Sequence, residues 1–124
     1  MASNSSPLLV NEIPFQVSPS LAVALGNINE AIILQRIQYL LKEPKGGRFD
    51  KDGRKYIRNS YEEWHDQFPW LSTRSIKVRV KSLKDKGLIT TRSFSGDGFH
   101  RTLWYSINYD KLNEFMQKHS EKNI

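Results

Sequence analysis

Residues 60–89 read SYEEWHDQFPWLSTRSIKVRVKSLKDKGLI, and no other stretch narrows the possible fold as far. Ser60 and Glu63 have the S-x-x-E spacing of a capping box, in which each side chain takes a backbone N–H left open at a helix start. Phe68-Pro69-Trp70-Leu71 ends that helix, because the residue before a proline is pushed out of the α region. Ser72 can cap a second helix, and Gly87 stands where a C′ residue in left-handed geometry belongs. A short acidic helix, a tight turn and a longer basic helix closed by glycine form the pattern of a helix-turn-helix. In that motif the second helix enters the major groove of DNA.

The basic helix can be read by face. Residues placed at helical intervals put Ile76, Val80 and Leu83 on one core-directed stripe. The opposite face carries Arg74, Val78, Lys81 and Asp85, with Lys77 and Ser75 on its flanks. Cations dominate from position 74 to 86: Arg74, Lys77, Arg79, Lys81, Lys84 and Lys86, against the single acid Asp85. A merely solvated face usually mixes signs to gain i,i+4 pairs, whereas single-signed charge repels itself unless an anion is waiting. Thr73, Arg74, Ser75 and Lys77, at the helix start, are the expected base readers. Arg74 can bridge the O6 and N7 acceptors of guanine, and Lys77 can reach the same edge as a point charge. Val78 can touch a thymine methyl or pack under Trp70. Lys81 and Lys84 come later and suit phosphates. Arg79 lies near the core boundary, where pairing with Glu62 or Asp66 competes with DNA contact.

The residues after this helix narrow the class. Residues 88–94 are rich in branched and aromatic side chains and read as a strand, 95–98 (SGDG) form a turn, and 99–109 read as a second strand. On the latter, Leu103, Tyr105, Ile107 and Tyr109 share one face, and Thr102, Trp104, Ser106 and Asn108 the other. The expected fold is α+β and mainly α: a winged helix-turn-helix with a small antiparallel sheet, an N-terminal arm and a C-terminal helix. At the wing, Arg92 and Arg101 flank Gly96, Asp97, Gly98 and His100, a placement suited to phosphate or minor-groove contact or to charged sheet edges.

The remaining chain divides into an N-terminal arm (1–17), the winged-helix DNA-binding domain (18–109) and a C-terminal helix and tail (110–124). The arm is interrupted by proline but carries Leu8, Leu9, Val10, Ile13, Phe15 and Val17, so it packs on the domain or on a second copy. Ser18 and Pro19 begin a short helix ending at Gly26. Asn27 or Asn29 begins a longer one through Lys42, apolar around most of its girth and therefore central. Residues 45–55 (KGGRFDKDGRK) read as a polar loop or weak hairpin, and 55–59 as a further strand beside the wing. Asp110 is the expected cap for a last helix whose Leu112, Phe115, Met116 and His119 form one stripe. That helix docks on its own core or makes a dimer seam. Trp104, on a polar strand face, wants a cover from the arm, the last helix or a partner subunit.

Composition sets bounds. With 124 residues the chain is one domain, and its net charge of +6 favours a polyanionic partner. It has no cysteine, so disulfides and cysteine metal sites are excluded. The N-terminus lacks a basic leader and a long apolar run, so a cytoplasmic location without membrane attachment is expected. An enzyme is not expected. His65, His100 and His119 have no metal-ligand spacing, no phosphate-binding loop is present, and Asp50/Asp52/Gly53 fails as a calcium loop because Arg48 and Asn59 fall at its first and twelfth positions. No cofactor is expected.

The runs NEAIILQRIQYLL (29–41), NSYEEWHDQFPWLS (59–72) and LWYSINY (103–109) resemble small winged-helix proteins of phages and plasmids, similar to the N-terminal domains of replication-initiation or replisome-organiser proteins. The likeness covers about 27–109 and is carried by Tyr61, Trp64, Phe68, Trp104 and Tyr105. It implies that helix 73–86 reads origin or operator DNA. The chain departs from a full initiator by ending soon after the wing, so it reads as a stand-alone binder or a fragment of something longer. Two functions are expected on these grounds. One is sequence-specific double-stranded DNA binding in replication or transcription control. The other is a protein-interaction or oligomerisation module working through the arm and the Trp104 face, with a homodimer or a replication protein as partner.

Overall fold

The structure is a computed structural model that describes residues 15–93 and 103–122. In chain order the elements are α1 (Pro19–Leu25), α2 (Ile28–Lys42), β1 (Arg48–Phe49), β2 (Lys55–Asn59), α3 (Tyr61–Gln67), α4 (Thr73–Asp85), β3 (Ile89–Arg92), β4 (Leu103–Ile107) and α5 (Tyr109–Lys122). The protein is α+β and helix-rich, with five helices and a four-stranded antiparallel sheet in the order β1-β2-β4-β3 among the described residues.

Local chemistry sets most boundaries. Ser18 accepts from Leu21 N at 3.3 Å, and Pro19 occupies the first turn of α1, where its missing N–H costs nothing. Asn27, rather than Asn29, caps α2 by accepting from Glu30 N at 2.9 Å. Glu43 is extended because Pro44 follows it, and α2 stops there. Both halves of the Ser60/Glu63 capping box form at 3.0 Å. The turn from α3 to α4 is closed by Leu71 N donating to Phe68 O at 2.9 Å and by His65 Nδ1 donating to the Leu71 carbonyl at 2.5 Å. Ser72 caps α4 through Ser75 N at 3.1 Å. At the other end Gly87 has φ 77°, its N–H meets Lys84 O, and Leu88 N reaches back to Leu83 O at 3.1 Å. That double closure is a Schellman motif, and its apolar contact pairs two fully buried leucines, Leu83 and Leu88.

The helices cover one face of the sheet. Trp64, Phe68, Ile76, Val80 and Leu83 meet Ile33, Leu34 and Ile37 of α2, with Ile57, Ile89, Tyr105 and Ile107 supplied by the strands. The Trp64 and Phe68 rings stack with centroids 5.6 Å apart, and Tyr105 meets Trp64 edge-on at the same separation. Of the arm, residues 1–14 lie outside the described residues. Phe15 sits 5.0 Å from the Phe68 ring, and Val17 packs against the core of the same chain. Among the described residues no helix is long and apolar enough to cross a membrane.

Several expectations change. Of the two alternatives for the 45–55 segment the structure has the hairpin, β1 paired with β2, and the sheet gains a fourth strand. Asp50 shapes its turn by accepting from Asp52 N and Arg54 N at 2.9 Å each. Strand 88–94 is shorter, Ile89–Arg92, because Leu88 closes α4; Phe94 lies outside the described residues. Strand 99–109 is described only as Leu103–Ile107. Asn108, not Asp110, caps the last helix, accepting from Lys111 N at 3.1 Å, so Tyr109 begins α5 instead of extending the strand. Leu112, Phe115 and Met116 of α5 pack against the core of the same chain, and α5 contacts α1. Helix α2 is not apolar around its girth in effect: Ile28 and Tyr39 are exposed, whereas Glu30 is buried.

Two substitutions probe this packing. Gly87→Ala should cost about 1 kcal/mol in urea unfolding. The nearest atom to an added Cβ is 3.9 Å away, so the loss comes from backbone geometry rather than collision. Burial, with a smaller contribution from nearby Tyr61 and against the influence of the Trp64 indole, pushes the Tyr105 hydroxyl far above its ordinary value, and that hydroxyl has no hydrogen-bond partner among the described residues. The unfolded chain therefore loses this proton first, and stability falls as pH rises past about 10. Tyr105→Phe should keep neutral-pH stability within about 1 kcal/mol and flatten the alkaline decline in denaturation curves.

Candidate nucleic-acid interface

A buried carboxylate decides which cations of α4 face outward. Glu30 enters the interior from the first turn of α2, its side chain only 2% exposed. Its Oε2 accepts from Arg79 at 2.6 Å and its Oε1 from Lys86 at 2.9 Å. Lys86 Nζ also donates to Ser82 Oγ at 2.7 Å. A desolvated carboxylate is tolerable only when paired and hydrogen-bonded, and here both oxygens are. Arg79 therefore does not pair with Glu62 or Asp66; it crosses to α2, as does Lys86. The clamp ties α4 to α2 and consumes two of the six cations of this segment.

The other four point away. Arg74 and Lys84 are exposed and make no ion pair or side-chain hydrogen bond among the described residues. Lys77 is exposed and lies 5.2 Å over the Tyr61 ring of α3, a cation–π contact that steadies it without neutralising it. Lys81 pairs with Asp85 at 2.9 Å, but both are well exposed, and an i,i+4 pair of that kind yields readily to a better anion. Thr73 is half-buried at the helix start, and Ser75 is exposed with its hydroxyl accepting from Ser72 Oγ at 3.0 Å. Val78, 47% exposed, sits amid these cations. The Trp70 indole lies against Phe68 and Phe15 and donates to Asn29 Oδ1 at 2.9 Å. Thr73, Arg74, Ser75, Lys77, Val78, Lys81 and Lys84 thus share one open surface.

Of the expected wing residues, Arg92 is described. Arg101 and the turn at 95–98 lie outside the described residues. Arg92 is on β3, paired with Asp50 of the β1–β2 hairpin at 3.4 Å and 5.8 Å from the Tyr56 ring. Its strand neighbour Thr91 is opposite buried Tyr105, so Arg92 is on the sheet face turned away from the helices. Trp104 shares that face, with the Arg48 guanidinium of β1 6.0 Å from its ring. Ser106, expected on an open polar face, is buried.

Sequence reasoning missed Glu30, although a signal existed. It occupies the same i, i+3, i+4, i+7 stripe as Ile33, Leu34 and Ile37, an acid in line with the core. Among the described residues no three histidines or carboxylates are grouped to hold a metal ion.

Glu30→Ala should lower stability by about 2 kcal/mol, since Arg79 and Lys86 would be left part-buried without a counter-charge. Asp85→Ala, which breaks only the exposed pair, should change it by less than about 0.5 kcal/mol, and urea titration of both variants checks the contrast. Comparison with protein-family models, with curated proteins and with solved structures finds no match to this chain.

Proposed function

We propose that this chain is a winged-helix protein that binds double-stranded DNA sequence-specifically through α4, in phage or plasmid replication initiation or transcription control. The observation that carries the reading is the division of charge on α4. Glu30 withdraws Arg79 and Lys86, and Arg74, Lys77, Lys81 and Lys84 remain on an exposed helix surface whose one acid is Asp85. Like charges gathered on one surface repel unless a polyanion neutralises them, and duplex phosphates do so with release of counterions. In this reading the start of α4 enters the major groove. Arg74 bridges a guanine edge, Lys77 and Thr73 or Ser75 contact neighbouring bases, and Val78 meets a thymine methyl. Lys81 and Lys84 take phosphates and fix the register. Arg92 is tied to Asp50, and Arg101 keeps the wing role its position suggests. The role in replication or transcription rests on the resemblance of the aromatic framework, and a cytoplasmic location accords with it.

A second reading, a protein-interaction or oligomerisation module, has its own support. Phe15, Tyr39 and Trp70 are exposed aromatics, and the first two border a groove of about 410 Å³ beside Arg36. Exposed apolar patches of this sort mark partner surfaces.

Duplex binding across a salt series separates the two. The parent should show a steep loss of affinity with salt. Arg74→Ala/Lys77→Ala/Lys81→Ala should bind at least about tenfold more weakly, with a salt slope shallower by about one unit per phosphate contact removed. Lys118→Ala, on the exposed side of α5, should bind as the parent does. Equal binding by the triple variant and the parent would reject α4 as the reader and favour the protein-partner reading.

A further inference from the structure

The sheet face turned away from the helices carries a charge and ring pattern that duplex reading by α4 does not use. In β4, Trp104 lies directly between Arg58 of β2 and Arg92 of β3. Arg48 of β1 reaches over the same indole, its guanidinium 6.0 Å from the ring. Strand alternation places all four on one side: Tyr105 and Ile57 are buried against the helices, so Trp104 and Arg58 face out. Arg48 and Arg58 are exposed, and Trp104 keeps part of its surface open. One guanidinium, that of Arg48, thus lies by the indole, and arginines stand directly across from Trp104 on both neighbouring strands, Arg58 on β2 and Arg92, which pairs with Asp50 at 3.4 Å, on β3. Below them the face continues through Tyr56, Thr90 and Ser106 into a groove of about 820 Å³. Asp50, Asp52 and Asp110 border that groove, so an anion would lie over the arginine row instead.

A single cation–π contact needs one arginine on an indole, whereas Trp104 has Arg48 by its ring and an arginine across from it on each neighbouring strand. An indole flanked by guanidinium groups binds two things together, a phosphate and the flat face of a base. A duplex offers base edges in its grooves and hides the faces in the stack, so the occupant that uses both features is unpaired. We infer that this sheet face is a second nucleic-acid site, for single-stranded DNA, in which a base stacks on Trp104 while Arg48 and Arg58 hold the flanking phosphates. It is separate from the α4 surface, so one molecule can hold a duplex and an unpaired strand on different faces.

The test uses the full chain with two probes, a fluorescent oligothymidylate of about 12 nucleotides and a hairpin duplex. The parent should bind the oligothymidylate, and Arg48→Ala/Arg58→Ala should weaken that binding by about tenfold or more while leaving thermal unfolding and duplex binding unchanged. Arg74→Ala/Lys77→Ala/Lys81→Ala should leave oligothymidylate binding unchanged whether or not it loses the duplex, so the two sites stand or fall separately. In a Trp70→Phe background, oligothymidylate should quench the indole fluorescence, and Trp104→Phe should abolish the quench. The inference is overturned if the parent does not bind the oligothymidylate, or if Arg48→Ala/Arg58→Ala binds it like the parent. Parallel loss of both probes in every variant, or arginine-dependent binding without Trp104 quenching, would overturn it as well. The first pattern means one shared surface, and the second means phosphate contact without a stacked base.

Discussion

The buried Glu30 carboxylate is the constraint on which the arrangement depends. It lies at the end of the α2 core stripe and takes a guanidinium from α4 and the ammonium of Lys86, which caps α4, one on each oxygen. Apolar packing of Ile76, Val80 and Leu83 holds α4 on the core but tolerates rotation and sliding; a charge pair with fixed donors does not. The helix is therefore set in both rotation and height, and the side chains left outside are determined by which ones Glu30 has drawn in. His65, donating to the Leu71 carbonyl, holds the turn beneath the start of α4 in the same way. Trp70, donating to Asn29, ties that turn to α2.

Nine of the nineteen lysines and arginines fall into three groups. Arg79 and Lys86 serve the interior, Arg74, Lys77, Lys81 and Lys84 the outward face of α4, and Arg48, Arg58 and Arg92 the far side of the sheet. A net charge of +6 on 124 residues could equally describe a chain with cations scattered over its surface. The separation into two basic faces on opposite sides of one core supports a protein that meets nucleic acid with more than one surface.

Legible in the sequence were the features that depend on near neighbours along the chain. Ser60 with Glu63, Ser72 with Ser75, and Gly87 with Leu83 and Lys84 are all local, and each helix end they imply is where the structure has it. The core stripe of α4 and the outward set around Arg74 were legible for the same reason, since helical periodicity fixes a face. The partners of that helix were not. Glu30 lies 49 residues from Arg79 and 56 from Lys86, and no local spacing reveals a contact at that separation. Strand alternation puts Trp104 on the face away from the core, but Arg48 comes beside it only once β1 pairs with β2, in a segment whose glycines and charges read as a polar loop or weak hairpin. Asn108 displaces Asp110 as the cap because the strand stops two residues earlier than alternation suggests, and that stop is set by the start of α5.

The measurement that bears most directly on the central claim is amide and side-chain chemical-shift mapping while a duplex is titrated into the full chain. The account predicts perturbations concentrated on Thr73, Arg74, Ser75, Lys77, Val78, Lys81 and Lys84, with Arg79 and Glu30 still joined in the complex. Perturbations centred on Phe15, Tyr39 and the outer side of α2, with α4 silent, would contradict it.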